Sequence, residues 1–163
     1  MFRQLVQEIV GYLSELNLLL QYLGTFLISF IPFVESLGGS MIGSLIGIPI
    51  ILAVIISIFG NWISIMSIIV LFNTLQRKIH NRDSKKGFVH NRTLKARELY
   101  DKYGVPGLAL IAPLIASGHI AAFTSLALGV NKKRVVYWHI ISIVLWGIIG
   151  GALGGYLNND IIK

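Results

Sequence analysis

Glu35 is the residue in this chain that most needs a chemical explanation. Between Leu16 and Gln76 it is the one charged side chain. A carboxylate in an apolar run costs roughly 2.5 to 3.5 kcal/mol on membrane-insertion scales, and by default such a residue marks function. Removal from water favours the neutral carboxyl, and a carboxyl that exchanges its proton near neutral pH is what a proton-coupled carrier uses. Glu35 stands in PFVESLGGS, after Pro32 and before Ser36, Gly38 and Gly39. These residues break a helix, so unpaired backbone N–H groups are expected beside the carboxyl. The competing role is a clasp, in which the carboxylate accepts those N–H groups and holds a hairpin together.

A second break follows Pro113, at Ser117 and Gly118, with His119 next in the chain. Imidazole titrates near physiological pH, so small changes in surroundings switch its charge. If the two breaks meet, Glu35 and His119 form a pair; the structural alternative for His119 is a buried ring donating to a carbonyl. Asn61 follows Gly60 inside a long apolar run, where an amide either joins helices or lines a path. Glu35, Ser36, Asn61, Ser117, Gly118 and His119 are therefore the expected proton or substrate site. His139, beside Tyr137 and Trp138, reads as structural, and His80 and His90 lie in a basic stretch without partners in sequence. No spacing of His, Asp or Glu fits a metal, and the absence of Cys removes thiolate sites and disulfides. GGALGG (150–155) lacks the preceding strand and the Lys-Ser/Thr of a phosphate loop. No cofactor is expected. A membrane hydrolase built on Ser117, His119 and Glu35 is the enzyme alternative, but no acid lies near Ser117 in sequence, so no enzyme is expected.

The surroundings of these residues are lipid-like. The chain has 163 residues, 55% hydrophobic and 13% charged, with a mean hydropathy of +0.74. Soluble domains carry about 25% charged residues, and a chain of this size leaves about a third of its surface exposed. The apolar excess must face something other than water, which excludes a soluble enzyme, a disordered chain and a disulfide scaffold. The net charge of +7 is concentrated. Arg77–Lys102 holds nine Lys/Arg against three acids, and Lys132, Lys133 and Arg134 form a second cluster at the membrane surface. Tyr103–Asn131 and Val135–Asn159 are uncharged. Such clusters mark cytoplasmic loops. Nucleic acid is not an expected partner, since no aromatic–basic interleaving accompanies the charge.

A crossing needs about 20 apolar residues. Pro49–Leu75 and Val135–Leu157 each supply one. Gly24–Ile48 and Tyr103–Val130 are too short for two crossings, and each is broken in the middle. If Tyr103–Val130 crossed once, the two basic clusters would lie on opposite sides; if it dips in and returns, both are cytoplasmic. The expected fold is thus an all-α polytopic membrane protein of two inverted repeats, each a re-entrant helical hairpin plus one transmembrane helix. The divisions are an N-terminal amphipathic helix (1–22), the first repeat (23–75), a basic cytoplasmic loop (76–102), the second repeat (103–157) and a tail (158–163). A full crossing that starts near Ile9 competes with the amphipathic helix, and Asn91–Lys102 reads as a second amphipathic segment. Laying Pro32 on Pro113 also lays Ser36 on Ser117, and an offset larger by one lays Gly47 on Gly129. The rows Ser36/Ser40/Ser44, Gly39/Gly43/Gly47, Gly150/Gly154 and Gly151/Gly155 are expected to line close helix contacts.

PFVESLGGSMIGSLIGIPIILAVIISIFGN resembles the first signature of the small multidrug export proteins, a Pro-x-x-Glu motif followed by a Gly-rich helix and a span interrupted by Gly-Asn. APLIASGHIAAFTSLALGVNKKR resembles their second signature, and KYGVPGLALIAPLIASG is similar to the DedA or SNARE-associated Golgi superfamily. The resemblance covers about residues 24–157. It carries the acid over to Glu35 and the Ser-Gly tip to Ser117 and Gly118. Leu37 stands where the family commonly has Arg, and Ala112 and Ala116 stand where the DedA group has Arg. The resemblance implies a transporter of the small multidrug export type; with the residues above, the expectation is an inner-membrane carrier of a small hydrophobic solute or lipid-linked substrate, with protons coupled through Glu35, membrane lipid around it, and a homodimer as an option. A lipid or polyprenyl-phosphate flippase is the alternative, and a non-transporting membrane adaptor a third. The topology is open to test. Single cysteines, Ser84→Cys and Asn131→Cys, are both expected to be shielded from an impermeant thiol reagent in intact cells, whereas labelling at one of them alone contradicts the re-entrant reading of 103–130.

Overall fold

The computed structural model describes residues 2–74 and 88–161, and every regular element among them is helical. Residues 75–87, which hold His80 and five of the nine Lys/Arg of the basic stretch, lie outside the described residues. Lys95, Arg97 and Lys102 are within them and exposed.

The N-terminal segment is two helices. α1 (Phe2–Ser14) ends where the Gln21 amide donates to Ser14 O at 3.1 Å and to Leu16 O at 3.0 Å. α2 (Leu18–Ile28) begins at Asn17, whose side chain accepts the Leu20 N–H at 3.0 Å. An Asn at this position satisfies one of the open N–H groups of a helix start, so the amphipathic pattern of 2–22 does not continue as a single rod. α3 (Glu35–Leu45) follows the Pro32 break and α4 (Ile50–Val70) follows a turn at Gly47. α5 (Phe88–Ile115) is interrupted at Gly104, whose φ of 65° and ψ of −161° are not helical. Pro106, two residues on, sits in the first turn of the piece that resumes, where a missing N–H costs nothing. α6 (Gly118–Ala127) and α7 (Lys132–Ile161) complete the chain.

Two helices are long and apolar enough to cross a membrane, α4 over Ile50–Val70 and α7 over Lys132–Asn158. In each, only 33% of the most apolar stretch is buried. A core helix of a soluble protein would bury most of it. Ile51, Phe59 and Val70 on α4, and Tyr137 and Ile148 on α7, are more than half exposed. α3 and α6, of 11 and 10 residues, are about 16 Å long at 1.5 Å per residue. That is about half the hydrocarbon thickness.

The chain forms two compact units. The first comprises Met1–Asn61 with Ile143–Lys163, and the second comprises Trp62–Ser142. In the first, α3 is enclosed by α2, α4 and α7, and Glu35, Ser36, Gly39, Ser40, Gly43, Ser44 and Leu45 are its buried residues. In the second, Leu108 and Ala112 of α5, with Ala116 just past its end, pack with Ala121 of α6, and Ala96, Leu99 and Tyr100 join them.

The same backbone events occur in both units, in the register that lays Gly47 on Gly129. Gly47 (φ 94°) and Gly129 (φ 81°) follow the ends of α3 and α6. The Ile48 N–H bonds Gly43 O, as the Val130 N–H bonds Ser125 O, both at 3.1 Å. The Gly47 N–H bonds Ser44 O, as the Gly129 N–H bonds Leu126 O. This pair of bonds closes a helix on a left-handed residue. The next helices start alike, with Ala53 bonded to Pro49 and Val135 to Asn131. Glu35 and Ser117 correspond in this register, and both have positive φ.

Glycine allows the close packing of the first unit. A side chain on Gly150 would strike Leu37 O and the Ser40 hydroxyl, and one on Gly154 would strike Met41 O. Gly151 and Gly155 press instead on Val54 and Ile50 of α4. On α3, Gly43 would bring a Cβ to 2.9 Å from Thr25 Cγ2 and 3.0 Å from Ala53 Cβ. Gly47 corrects the expected row. Nothing lies within 4 Å of a Cβ there, and its φ of 94° is what requires glycine. Gly150→Leu is expected to push α3 and α7 apart at about 1 to 3 kcal/mol, with a large loss of folded yield in detergent. Gly11→Ala, where a Cβ meets nothing within 4 Å, is expected to leave the yield unchanged.

Candidate functional site

The first break lies between α2 and α3. α2 unwinds as the Phe30 and Ile31 N–H groups bond three residues back, to Leu27 O and Ile28 O. Phe33 and Glu35 then take φ of 74° and 53°. Left-handed backbone is uncommon for residues with a Cβ, and it clusters where structure holds a functional group in place. The Glu35 N–H bonds Ile31 O at 3.0 Å and the Gly38 N–H bonds Val34 O at 2.8 Å, so the turn is hydrogen-bonded on itself. Glu35 is 4% exposed and lies in the first turn of α3, where the positive end of the helix dipole favours a negative charge. Pro32 is exposed, Gly38 half-buried and Gly39 buried. A Cβ on Gly39 would strike the Ser29 hydroxyl and approach that of Ser57 to 3.1 Å.

Hydroxyl groups tie α3 to α7. Ser36 Oγ donates to Ile143 O at 2.9 Å, and one turn on Ser40 Oγ donates to Gly147 O at 2.8 Å. Asn158 Nδ2 donates to Ser44 O at 3.2 Å. Asn61 Nδ2 reaches Ser36 Oγ at 3.4 Å, so the α4 amide lies against the residue beside Glu35. Asn61 is 1% exposed, and its Oδ1 has no hydrogen-bond partner among the described residues, nor does the hydroxyl of Ser57 one turn earlier. A buried polar atom without a partner costs about 1 to 3 kcal/mol.

The second break lies between α5 and α6. The Ala116 and Ser117 N–H groups both bond Ala112 O at 2.7 Å, and Ser117 has φ of 115°. Its hydroxyl caps α6 by accepting the His119 N–H at 3.2 Å. His119 is 5% exposed. Its Nε2 lies 2.8 Å from Ser64 Oγ on α4, and its Nδ1 lies 3.5 Å from Ser117 Oγ. Pro113 is half-buried in the last turn of α5. Lys132, Lys133 and Arg134 are exposed at the start of α7, with Asn131 Oδ1 accepting the Lys133 N–H at 2.9 Å.

Residues 35–149 match the family described as "Putative small multi-drug export protein". The chain belongs to this family. No curated protein and no solved structure matches it. The match begins at Glu35, where the first break ends, and runs past the second break into α7. Family membership, together with two apolar helices that face outward, marks a membrane protein of the export type.

In this small multidrug export protein, the expected site residues divide between the two units. Glu35, Ser36 and Asn61 lie in the first; Ser117, Gly118 and His119 lie in the second. Among the described residues no three His, Cys, Asp or Glu side chains gather as a metal site requires. Two features escape a reading by residue type. Ser64 looks like one small residue among many, yet it holds the His119 ring; its spacing from Ser57 and Asn61, four and then three residues, was the available signal. His139 sits among interfacial aromatics in sequence but is 1% exposed, with Nδ1 2.8 Å from Val135 O.

Proposed function

We propose that this protein is a proton-coupled membrane transporter of small hydrophobic solutes, in which Glu35 carries the proton. The observation that carries the reading is a single carboxyl, buried and 4% exposed, at a strained break in an otherwise uncharged run. The two breaks, each followed by a helix too short to cross, support re-entrant hairpins. The backbone turns shared by Gly47 and Gly129 support two repeats, and one crossing helix after each hairpin would make them inverted in the membrane. Both basic clusters are then cytoplasmic and the membrane is the inner membrane.

The chemistry follows from position. A carboxyl shielded from water takes a proton where solvent reaches the break from one side and gives it up where solvent reaches from the other. Neutral Glu35 is compatible with an apolar solute beside it, and ionised Glu35 is not, so proton binding and solute binding are linked. The Ser36–Asn61 contact places an amide with a spare acceptor near the same point.

Glu35→Gln keeps shape and a hydrogen-bonding head but cannot release a proton. In proteoliposomes it is expected to keep its thermal midpoint and to lose pH-gradient-driven uptake by at least about tenfold, the size of a typical coupling free energy. Glu35→Asp is expected to retain part of the uptake. A Gln variant with native uptake contradicts proton coupling, and a Gln variant that loses stability together with uptake assigns Glu35 to the clasp.

A further inference from the structure

The start of α7 gathers charge that the coupling role of Glu35 does not use. We propose that Lys132, Lys133 and Arg134, together with the aromatic pair one turn further along, form a binding site for the phosphate headgroup of an anionic phospholipid. The site lies wholly in the second unit. It does not depend on which solute the protein carries, only on α7 meeting lipid.

The sequence isolates these cations. They stand side by side, and from Lys102 to Asn159 the chain has no acid. All three are exposed, and the acids of α5 that precede them, Glu98 and Asp101, are exposed as well. Among the described residues none of the three cations is in an ion pair. The backbone beneath them is fixed. Asn131 Oδ1 accepts the Lys133 N–H at 2.9 Å, and Asn131 O accepts the Arg134 and Val135 N–H groups at 3.0 and 3.2 Å. These bonds occupy N–H groups that the start of a helix otherwise leaves open. An anion here is therefore met by side chains rather than by the backbone. An ammonium is a compact point charge and a guanidinium a two-pronged donor, and both suit phosphate oxygens.

The residues that follow favour a lipid over a soluble anion. Residues three and four apart share a helix face, so Lys133, Tyr137 and Ile140 lie in one row. Tyr137 is 61% exposed and Ile140 40%. Lys132 and Arg134 flank that row, each about 100° around the axis. Tyr137 lies about 6 Å further along the axis than Lys133, which is about the depth of one headgroup layer. Its ring meets that of Trp138 edge-on, with centroids 5.6 Å apart and an interplanar angle of 82°. Tyr and Trp collect at the headgroup level of membrane proteins. A phosphate held by the cations thus has its glycerol at the level of Tyr137 and its acyl chain at the level of Ile140. A nucleic acid or an acidic peptide would use the charges and leave the apolar row uncovered.

The test uses the full chain with Trp138 as its one tryptophan (Trp62→Phe, Trp146→Phe), in phosphatidylcholine vesicles that contain a minor lipid brominated near the top of its acyl chains. Bromine quenches a tryptophan that it touches. The brominated lipid is either phosphatidylglycerol, which is anionic, or phosphatidylcholine, which is not. Phosphatidylglycerol is expected to quench Trp138 at a mole fraction at least about fivefold lower, the effect of one cation beside anionic lipid. Lys132→Gln/Lys133→Gln/Arg134→Gln is expected to be quenched equally by both lipids. Lys95→Gln/Arg97→Gln/Lys102→Gln removes the same charge from α5 and is expected to keep the preference, as is Arg134→Lys. Single Gln variants at the three α7 positions, each expected to lose part of the preference, carry the same decision where the triple variant folds poorly. Equal quenching by the two lipids with the α7 cations intact overturns the proposal. So does a preference that survives their removal, or one that the α5 variant abolishes. A preference that excess inorganic phosphate abolishes assigns the cations to a soluble anion and overturns the lipid assignment.

Discussion

Serine hydroxyls on α3 bond to backbone carbonyls on α7, and that contact requires two helix backbones almost touching. Ser36 reaches Ile143 O and Ser40 reaches Gly147 O, one bond per turn. The glycines make room for it, since a Cβ on Gly150 or Gly154 would strike carbonyl oxygens of α3. In an apolar solvent, helices gain little from burying apolar side chains against one another. Close packing and polar bonds must supply the cohesion. Small residues on both partners let this protein use both. The consequence at the site is direct: α3 is tied along its whole length, from Ser36 to Ser44, which fixes the position of Glu35 in its first turn.

The site is organised by what the backbone lacks. A helix that stops inside an apolar layer leaves N–H and C=O groups to be satisfied. At the far ends of α3 and α6, Gly47 and Gly129 solve this with the same pair of turn bonds. At the near ends the solutions differ. Ser117 caps α6 with its own hydroxyl, whereas α3 begins with Glu35, which brings an ionisable group into the equivalent position. The shared register makes the difference informative. α6 starts at a neutral cap with a histidine two residues on, and α3 starts at an acid in the matching position.

Much of this was legible in the chain. The long run from Leu16 to Gln76 with its single charge exposed Glu35 without any structure. Pro32, Pro113 and the small residues after them marked both breaks, because those residue types end helices for steric reasons. The two helices long and apolar enough to cross a membrane followed from apolar length, with ends that differ by a few residues. Other features were hidden for identifiable reasons. The split of 2–22 depends on one side-chain cap, Asn17, inside an otherwise continuous amphipathic pattern. Gly47 shares the spacing of Gly39 and Gly43 but serves the backbone angle rather than packing, and spacing cannot separate those uses. Two offsets one position apart stay open while only residue identities are compared, because the turns at Gly47 and Gly129 match in backbone bonds more than in residue type. Ser64 was invisible as a partner of His119 because the two lie far apart in the chain and meet only through the fold.

The central claim is that Glu35 changes protonation inside the membrane. Infrared difference spectroscopy of the full chain in lipid, taken across a pH titration, reads it without a substrate and without a transport assay. The account predicts a protonated-carboxyl band that grows and fades over the pH range in which uptake responds, and that is missing from Glu35→Gln. A titration spectrum that Glu35→Gln leaves unchanged would contradict it.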